Sequence, residues 1–208
     1  MKFNSLGLIL LIAALSVSSC RNKTNQNETR IIFLHHSTGV RIWHGFPTRL
    51  SYFVNARIGK ELSYLFYRKA PLPHLVKKYN KRKRKNYVVE GITFPKIAPY
   101  GWNNYPYDYY NIWVKHAGAT PFMEEPTLEM LTKEYQVVIF KHCFPVSNIQ
   151  ANKDTSDINS DYKSIANYKL QYLSLREKLH EFPGTKFIVF TGAVQVKSQI
   201  SIEEAVRA

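Results

Sequence analysis

The sequence contains very little cysteine, comparatively few acidic residues and no long hydrophobic run. Only Cys20 and Cys143 are cysteines among 208 residues, so a framework of several disulfides is impossible. The longest hydrophobic stretch, from Leu6 to Val17, spans 12 residues, whereas a helix that crosses a bilayer needs about 20. The 15 acidic residues are outnumbered by 29 lysines and arginines, and the formal net charge is +14. These absences exclude a disulfide-rich scaffold and argue against a permanent transmembrane anchor.

The first 20 residues have the order of a secretion signal. Lys2 gives a positive start, the hydrophobic stretch follows, and small residues lead to Cys20, after which the chain becomes polar. Residues 17–20 (Val-Ser-Ser-Cys) resemble the lipobox of bacterial lipoproteins, in which the cysteine is acylated and becomes the new N-terminus. The resemblance implies a signal peptide at 1–20, membrane lipid attached through Cys20, and an envelope location, either periplasmic or on the outer surface.

The remainder of the chain is expected to form one domain on a tether. Residues 21–30 carry hardly any apolar side chain and suit a solvated tether. Residues 31–208 have the usual length of a single domain with its own core. Since acylation removes Cys20 from pairing, Cys143 is predicted to be a free thiol that is buried as a small hydrophobic residue.

Much of the positive charge lies in one run of lysines and arginines between residues 77 and 85. In a cytosolic protein such a run favours nucleic-acid binding. An exported protein meets anionic lipid and acidic polysaccharide instead, so we expect no nucleic-acid partner. Two interpretations stay open: a solvated loop or helix end, and a patch that holds the domain against an anionic surface.

Three short apolar runs predict buried strands, at Ile31–Leu34, Val137–Phe140 and Phe187–Phe190, and Tyr87–Phe94 is a candidate for a further strand. Helical segments separate them. The alternation predicts a doubly wound, flavodoxin-like α/β fold, a three-layer sandwich with a parallel sheet. Ligands gather at the carboxyl ends of the strands in such folds, so the loops after Leu34, Phe140 and Phe190 are the places to look for a site.

The segments between the strands carry different patterns. Residues 41–80 have apolar residues at spacings of three and four and predict an amphipathic helix with Gly59 as a weak point. The aromatic-rich residues 99–116 have no clean period and predict a structured loop. Further helices are predicted at Thr127–Glu134, capped by Thr127, at Ser164–Phe182, and from a capping box that begins at Ser201.

Ser37 follows the first strand directly and precedes Thr38 and Gly39. In this position it resembles the first block of the SGNH (GDSL-like) hydrolases, which place a serine nucleophile on the loop after the first strand. The family's usual Gly-Asp-Ser is replaced here by His35, His36 and Ser37. The resemblance implies that Ser37 is the nucleophile of an ester hydrolase that needs no cofactor. The alternative is that Ser37 is a turn or helix-cap residue.

The same resemblance implies an oxyanion hole. The family builds it from the serine N–H, a glycine N–H and an asparagine side chain, which here gives Ser37, Gly101 and Asn148. Gly39, on which the resemblance also rests, is expected to bind in the same site. Gly118 competes with Gly101, and Asn104 or Asn111 are further possibilities. The family's Gly-x-Asn-Asp block is replaced by residues 143–148, in which Asn148 comes several positions late.

A base for Ser37 is harder to find, because the family's Asp-x-x-His block does not occur in this sequence. Glu177 and His180 have that spacing but lie in a predicted helix, where a surface position is favoured. His35, His36 or His142 beside the presumed pocket would have to substitute. The simpler expectation is that the sequence is truncated at its C-terminal end, and that the missing part holds a further strand, this block and a closing helix. The present form would then be catalytically weak or inactive.

Two further interpretations complete the analysis. His35, His36, His142 and Cys143 have side chains that bind Zn²⁺, but adjacent strand residues point to opposite faces, so no metal is assigned. The leading prediction is an SGNH-like esterase or acetylesterase that acts on an acylated glycan or a similar ester of the envelope. The alternative is a non-catalytic glycan-binding lipoprotein whose aromatic segment, Tyr100 to Trp113, stacks on sugar rings.

Overall fold

The computed structural model describes residues 28–68, 71–101, 103–190 and 201–207. Its strands are β1 (Thr29–His35), β2 (Tyr87–Thr93), β3 (Val137–Lys141) and β4 (Lys186–Phe190). All neighbouring pairs are parallel, and the order is β2-β1-β3-β4. Each strand lies within two residues of its predicted bounds, and the predicted α/β fold with a parallel sheet is confirmed. The predicted burial of the fourth strand is wrong for the described residues, because Ile188, Val189 and Phe190 on β4 are exposed by more than 40%.

Eight α-helices are present in the described part of the chain. They are α1 (Thr38–His44), α2 (Arg49–Arg57), α3 (Lys60–Ser63), α4 (Pro71–Lys83), α5 (Pro106–Tyr109), α6 (Leu128–Glu134), α7 (Ile165–His180) and α8 (Ile202–Arg207). Short 3₁₀ turns follow at Tyr64–Phe66 and at Phe144–Ser147. Within the described ranges, no helix combines the length and hydrophobicity that a membrane crossing requires.

Alternate residues of β1 pack against different helical layers. Ile32 and Leu34 belong to the main core, which also contains residues of α5, α6 and α7. Phe33 and His35 point to the opposite face, where the indole of Trp43 on α1 packs against His35 and lies over Gly91 of β2. This alternation is that of a strand covered on both faces, and it produces the three layers.

The aromatic segment predicted as a loop, residues 99–116, is helical in its second half, from Pro106 to Lys115, so that part of the prediction is wrong. Helix α5 continues directly into a π-helical turn, Tyr110–Lys115. A π-helix bonds each residue to the fifth one along, so its side chains do not follow the period of 3.6 that marks an α-helix in a sequence. The side chains of Tyr109, Ile112 and Trp113 are fully buried in the main core.

The helix predicted within residues 41–80 forms as several shorter helices. The break between α2 and α3 falls at Ile58 and Gly59, as the sequence indicated, and Gly59 has φ 142°, a value that favours glycine. The apolar stripe, however, is not a core face in the described structure. Leu50, Phe53 and Leu65 are exposed by half or more of their surface, so periodicity located the helices correctly but not their packing.

The remaining helix predictions are confirmed with one difference in capping. The hydroxyl of Ser164 accepts a hydrogen bond from the backbone N–H of Asn167 and caps α7. Ser201 and Glu204 form the predicted capping box. Thr127 precedes α6 but does not cap it, because its hydroxyl donates to the Gly118 carbonyl instead.

The amino end of β1 is fastened by a charged cluster. The Arg30 guanidinium contacts the carboxylates of Glu90 on β2 and Glu134 on α6 at 2.7 and 2.8 Å. The hydroxyl of Tyr135 donates to Glu90, and the Arg30 side chain lies over the Tyr135 ring. Strand β1 therefore begins at Thr29, two residues before the predicted start of the domain, and is bound there to both neighbouring elements.

Candidate functional site

Ser37 lies in the short turn between β1 and α1 and has an unusual backbone conformation. Its φ is 46° and its ψ is −111°, which is a strained combination for a residue with a side chain. Although Ser37 precedes the first residue of α1, its hydroxyl makes no capping hydrogen bond. The side chain is exposed. A helix cap therefore does not explain a serine at this position.

A cavity of about 510 Å³ opens beside Ser37 at the carboxyl ends of β1 and β2. Its volume is in the range of small-molecule sites. Thr93, the last residue of β2 and the partner of His35 in the sheet, forms part of the wall. The lining residues are His36, Ser37, Thr38, Val40, Arg41, Lys60, Tyr64, Tyr67 and Thr93.

The imidazole of His36 shares this cavity with Ser37, and its tautomer follows from one contact. Nε2 of His36 is hydrogen-bonded to the carbonyl oxygen of Pro95. Because a carbonyl oxygen only accepts, Nε2 carries the proton and Nδ1 of the neutral ring keeps its lone pair. Burial lowers the pKa of His36, the hydrogen bond to the Pro95 carbonyl partly opposes this shift, and the charges of Lys141 and Lys60 lower the pKa further. The neutral ring is therefore favoured near pH 7, with Nδ1 able to accept a proton.

Gly39 and Gly101, both predicted to bind in the site, have structural reasons to be glycine. A Cβ on Gly39 would lie 2.4 Å from Cβ of His35 and 3.3 Å from the Lys141 stem, and the Gly39 N–H donates to the His36 carbonyl. Gly101 has φ 100°, and its N–H donates to a carboxylate oxygen of Asp108 at 3.2 Å. Neither glycine lines the cavity.

Asn148 and His142 are likewise outside the cavity lining. Asn148 ends the 3₁₀ turn after β3 and is half-buried. The ring of His142 is 1% exposed and is surrounded by aromatic side chains, with Nδ1 bonded to the carbonyl of Asn104. Of the predicted site residues, the structure thus brings His36 and Ser37 together and places Gly101, Asn148 and His142 outside the cavity lining. Gly39 lies between two lining residues, Thr38 and Val40, but does not line the cavity itself.

The other histidines and the second cysteine are also placed. His35 is buried on the opposite face of β1 from Ile32 and Leu34, as alternation predicts. Glu177 and His180 are exposed on α7. Cys143 is a buried free thiol, as predicted, with its sulfur 3.9 Å from Nζ of Lys141. Among the described residues, no three His, Cys, Asp or Glu side chains converge in a way that would hold a metal ion.

The aromatic residues considered as sugar-stacking platforms are mostly internal. Tyr105, Tyr109, Tyr110 and Trp113 are buried, whereas Tyr100 and Tyr107 are half-buried. Trp102 lies outside the described residues, as does Cys20.

Several lining residues were not recognised in the sequence. Thr93 could have been found, because it ends the strand that pairs with β1 and strand ends meet at one edge. Arg41 lies four positions after Ser37, on the same side of the first turns of α1. Nothing in the sequence indicates that Lys60 and Tyr64, from α3 and the turn after it, reach this edge of the sheet.

Comparison with protein-family models, with curated proteins and with solved structures found no match.

Proposed function

We propose that this chain is an envelope lipoprotein, anchored through Cys20, whose domain is an SGNH-like serine esterase with Ser37 as its nucleophile. The observation that carries the proposal is the strained backbone of Ser37 on a strand–turn–helix connection beside a cavity. A strained, exposed serine between a strand and a helix is the arrangement by which hydrolases present a nucleophile. Strain of this kind concentrates at functional sites.

His36 is the proposed base. A serine hydroxyl needs a neighbouring group to take its proton, and that group needs an orienting partner. The Pro95 carbonyl fixes the His36 ring with Nδ1 unprotonated, which replaces the orienting carboxylate of the family. In this proposal His36, which lines the same cavity as Ser37, takes the role of the histidine in the Asp-x-x-His block that the sequence lacks.

The reaction consists of two balanced steps. Oγ of Ser37 attacks the ester carbonyl carbon while Nδ1 of His36 takes the hydroxyl proton, and that proton then leaves with the alcohol. Water attacks the acyl-serine in the same way, and the products are a carboxylic acid and the free enzyme. The backbone N–H of Ser37 donates to no other residue in the described ranges, so it is available for the developing oxyanion.

The proposed substrate is an acylated glycan or a similar ester of the envelope, because the proposed location places the enzyme there. The glycan-binding alternative loses its main support, because the aromatic rings that would stack on sugars are largely in the core.

Hydrolysis of 4-nitrophenyl acetate and labelling by a fluorophosphonate probe test the proposal. Wild type should be labelled and active, whereas Ser37→Ala should show neither, and Ser156→Ala, which changes an exposed loop serine, serves as the matched control. His36→Gln should reduce the rate by about a hundredfold or more, the usual contribution of a general base. Equal rates in wild type and Ser37→Ala would overturn the assignment.

Stability provides a second, independent readout. Ser37→Gly should relieve backbone strain of about 1–3 kcal/mol, partly offset by about 0.5–1 kcal/mol for the greater freedom of glycine in the unfolded chain. We therefore expect an inactive protein with a higher urea midpoint than Ser37→Ala, which keeps the strain. A lower midpoint for Ser37→Gly would contradict the strained-turn argument.

A further inference from the structure

The cavity beside Ser37 contains positive side chains and no negative ones. Arg41 and Lys60 are in its wall, and no aspartate or glutamate is. The negative charge of the nearby Glu61 favours a higher pKa of His44, but Glu61 does not line the cavity. A cavity lined by one sign of charge raises the local concentration of ligands of the opposite sign.

In the part of the chain that the structure describes, the two cations have no carboxylate partner. All 15 aspartates and glutamates of the sequence fall in the described ranges. The ion pairs formed there involve Arg30, with Glu90 and Glu134, and Lys178, with Glu129 and Glu181. Neither Arg41 nor Lys60 takes part in any of them. Their charges are therefore available to a ligand.

An aromatic ring contacts one of the two positive groups. The guanidinium carbon of Arg41 lies 5.9 Å from the centre of the Tyr67 ring, a cation–π distance. Tyr67 meets Tyr64 edge to face at 5.2 Å, and Tyr64 stacks on His44 at 3.6 Å. Lys60, the first residue of α3, lies four positions before Tyr64 in the turn that follows, and both residues line the cavity. Both cations are exposed to solvent, and the Tyr67 ring restricts the orientation of Arg41.

We propose that the substrate of this site is an anionic ester, namely an O-acylated sugar acid whose carboxylate is bound by Arg41 and Lys60. The inference rests on the proposed esterase function and specifies its substrate class. A planar guanidinium matches a carboxylate through two parallel hydrogen bonds, and the ammonium of Lys60 adds a point charge. The carboxylate then fixes the sugar so that its ester reaches Ser37.

Paired substrates test the inference in wild type and variants. O-acetylated galacturonic acid and O-acetylated galactose differ in the carboxylate, and the measured quantity is the ratio of their kcat/KM values. Wild type should favour the acid. Arg41→Gln and Lys60→Gln should each reduce the ratio by about ten- to hundredfold, the value of a hydrogen bond between charged groups. Lys77→Gln, which removes a charge from the exposed basic run on α4, should leave the ratio unchanged.

A binding measurement separates this inference from the esterase proposal. Calorimetry with Ser37→Ala, which cannot turn over, should detect galacturonate but not galactose, and Arg41→Gln in that background should abolish the signal. Binding of inorganic sulfate with the same affinity would overturn the sugar-acid assignment. Hydrolysis without charge preference, or no difference between galacturonate and galactose, would overturn the inference and leave the esterase standing. Binding of galacturonate together with no ester hydrolysis by wild type would instead refute the proposed esterase function.

Discussion

The buried ring of His142 makes the stability of the domain sensitive to acid. It lies 4.8 Å from the Tyr109 ring and 5.6 Å from the Tyr172 ring. Nδ1 carries the proton, because it is bonded to the Asn104 carbonyl at 3.1 Å. Nε2 is buried and has no hydrogen-bond partner within the described ranges. A second proton on this ring would place an uncompensated charge among aromatic side chains.

The magnitude follows from the pKa. Burial lowers the pKa of His142 from 6.5 to about 4. A histidine with a lowered folded pKa stabilises the protein fully above its unfolded pKa, and this contribution is lost as the pH falls through the interval between the two values. The full shift corresponds to about 3 kcal/mol, of which about 2 kcal/mol is lost between pH 7 and pH 5.

His142→Phe keeps an aromatic ring and removes the titration. Urea unfolding at pH 7, 6 and 5 measures the effect. At pH 7 the variant should be less stable by about 1 kcal/mol, because it lacks the hydrogen bond to Asn104. On acidification to pH 5 it should lose about 2 kcal/mol less than wild type. His35 has a similarly lowered pKa and stays in both proteins, so the difference between them reports His142 alone.

His74→Phe, a change at an exposed residue of α4, controls for the loss of a histidine as such and should follow wild type. If His142→Phe lost as much stability on acidification as wild type, the argument from burial would be refuted.

Three further predictions concern packing, capping and a buried acid. Gly91→Ala would place a Cβ 2.5 Å from the Trp43 ring, so we expect a loss of about 1–3 kcal/mol and a shift in tryptophan fluorescence; unchanged stability would mean that α1 does not pack on β2. Ser164→Ala removes the cap on the Asn167 N–H and should cost about 1 kcal/mol in urea unfolding. Burial raises the pKa of Asp108 to about 7, so the folded state retains a proton and stability falls as the pH rises from about 4 to 7. Asp108→Asn should therefore lose about 2–3 kcal/mol less than wild type between pH 5 and pH 8, and an equal loss would contradict the raised pKa.

Most of the sheet could be predicted because β1, β3 and β4 are short hydrophobic runs, whereas β2 contains Glu90 and Gly91. Ile31–Leu34 and Val137–Phe140 are covered on both faces, and burial on both faces removes the alternation of polar residues. The π-helical turn at Tyr110–Lys115 could not be predicted, because its geometry has a different period. The exposed stripe that includes Leu50 and Phe53 shows that periodicity gives the helix but not what covers it.

Only the residues of the candidate site that directly follow β1 could be predicted from the sequence. Ser37 and His36 follow the strand, and any loop at that end is a good candidate. The positive φ of Ser37 and the contact of His36 with Pro95 depend on chain segments that are distant in sequence. The wall contributed by Lys60 and Tyr64 depends on how α3 packs, which no local pattern encodes.

If lipid is attached at Cys20, the ion pairs of Arg30 with Glu90 and Glu134 would resist force transmitted from the membrane. Thr29 comes nine positions after Cys20, so the chain between membrane and domain reaches at most about 30 Å. Any tension in it acts at the amino end of β1, where Arg30 distributes it to β2 and α6. The cavity lies at the other end of the strand, about 23 Å further along its seven residues. A domain held in this way would turn the mouth of its cavity away from the bilayer and toward polymers beyond the headgroups.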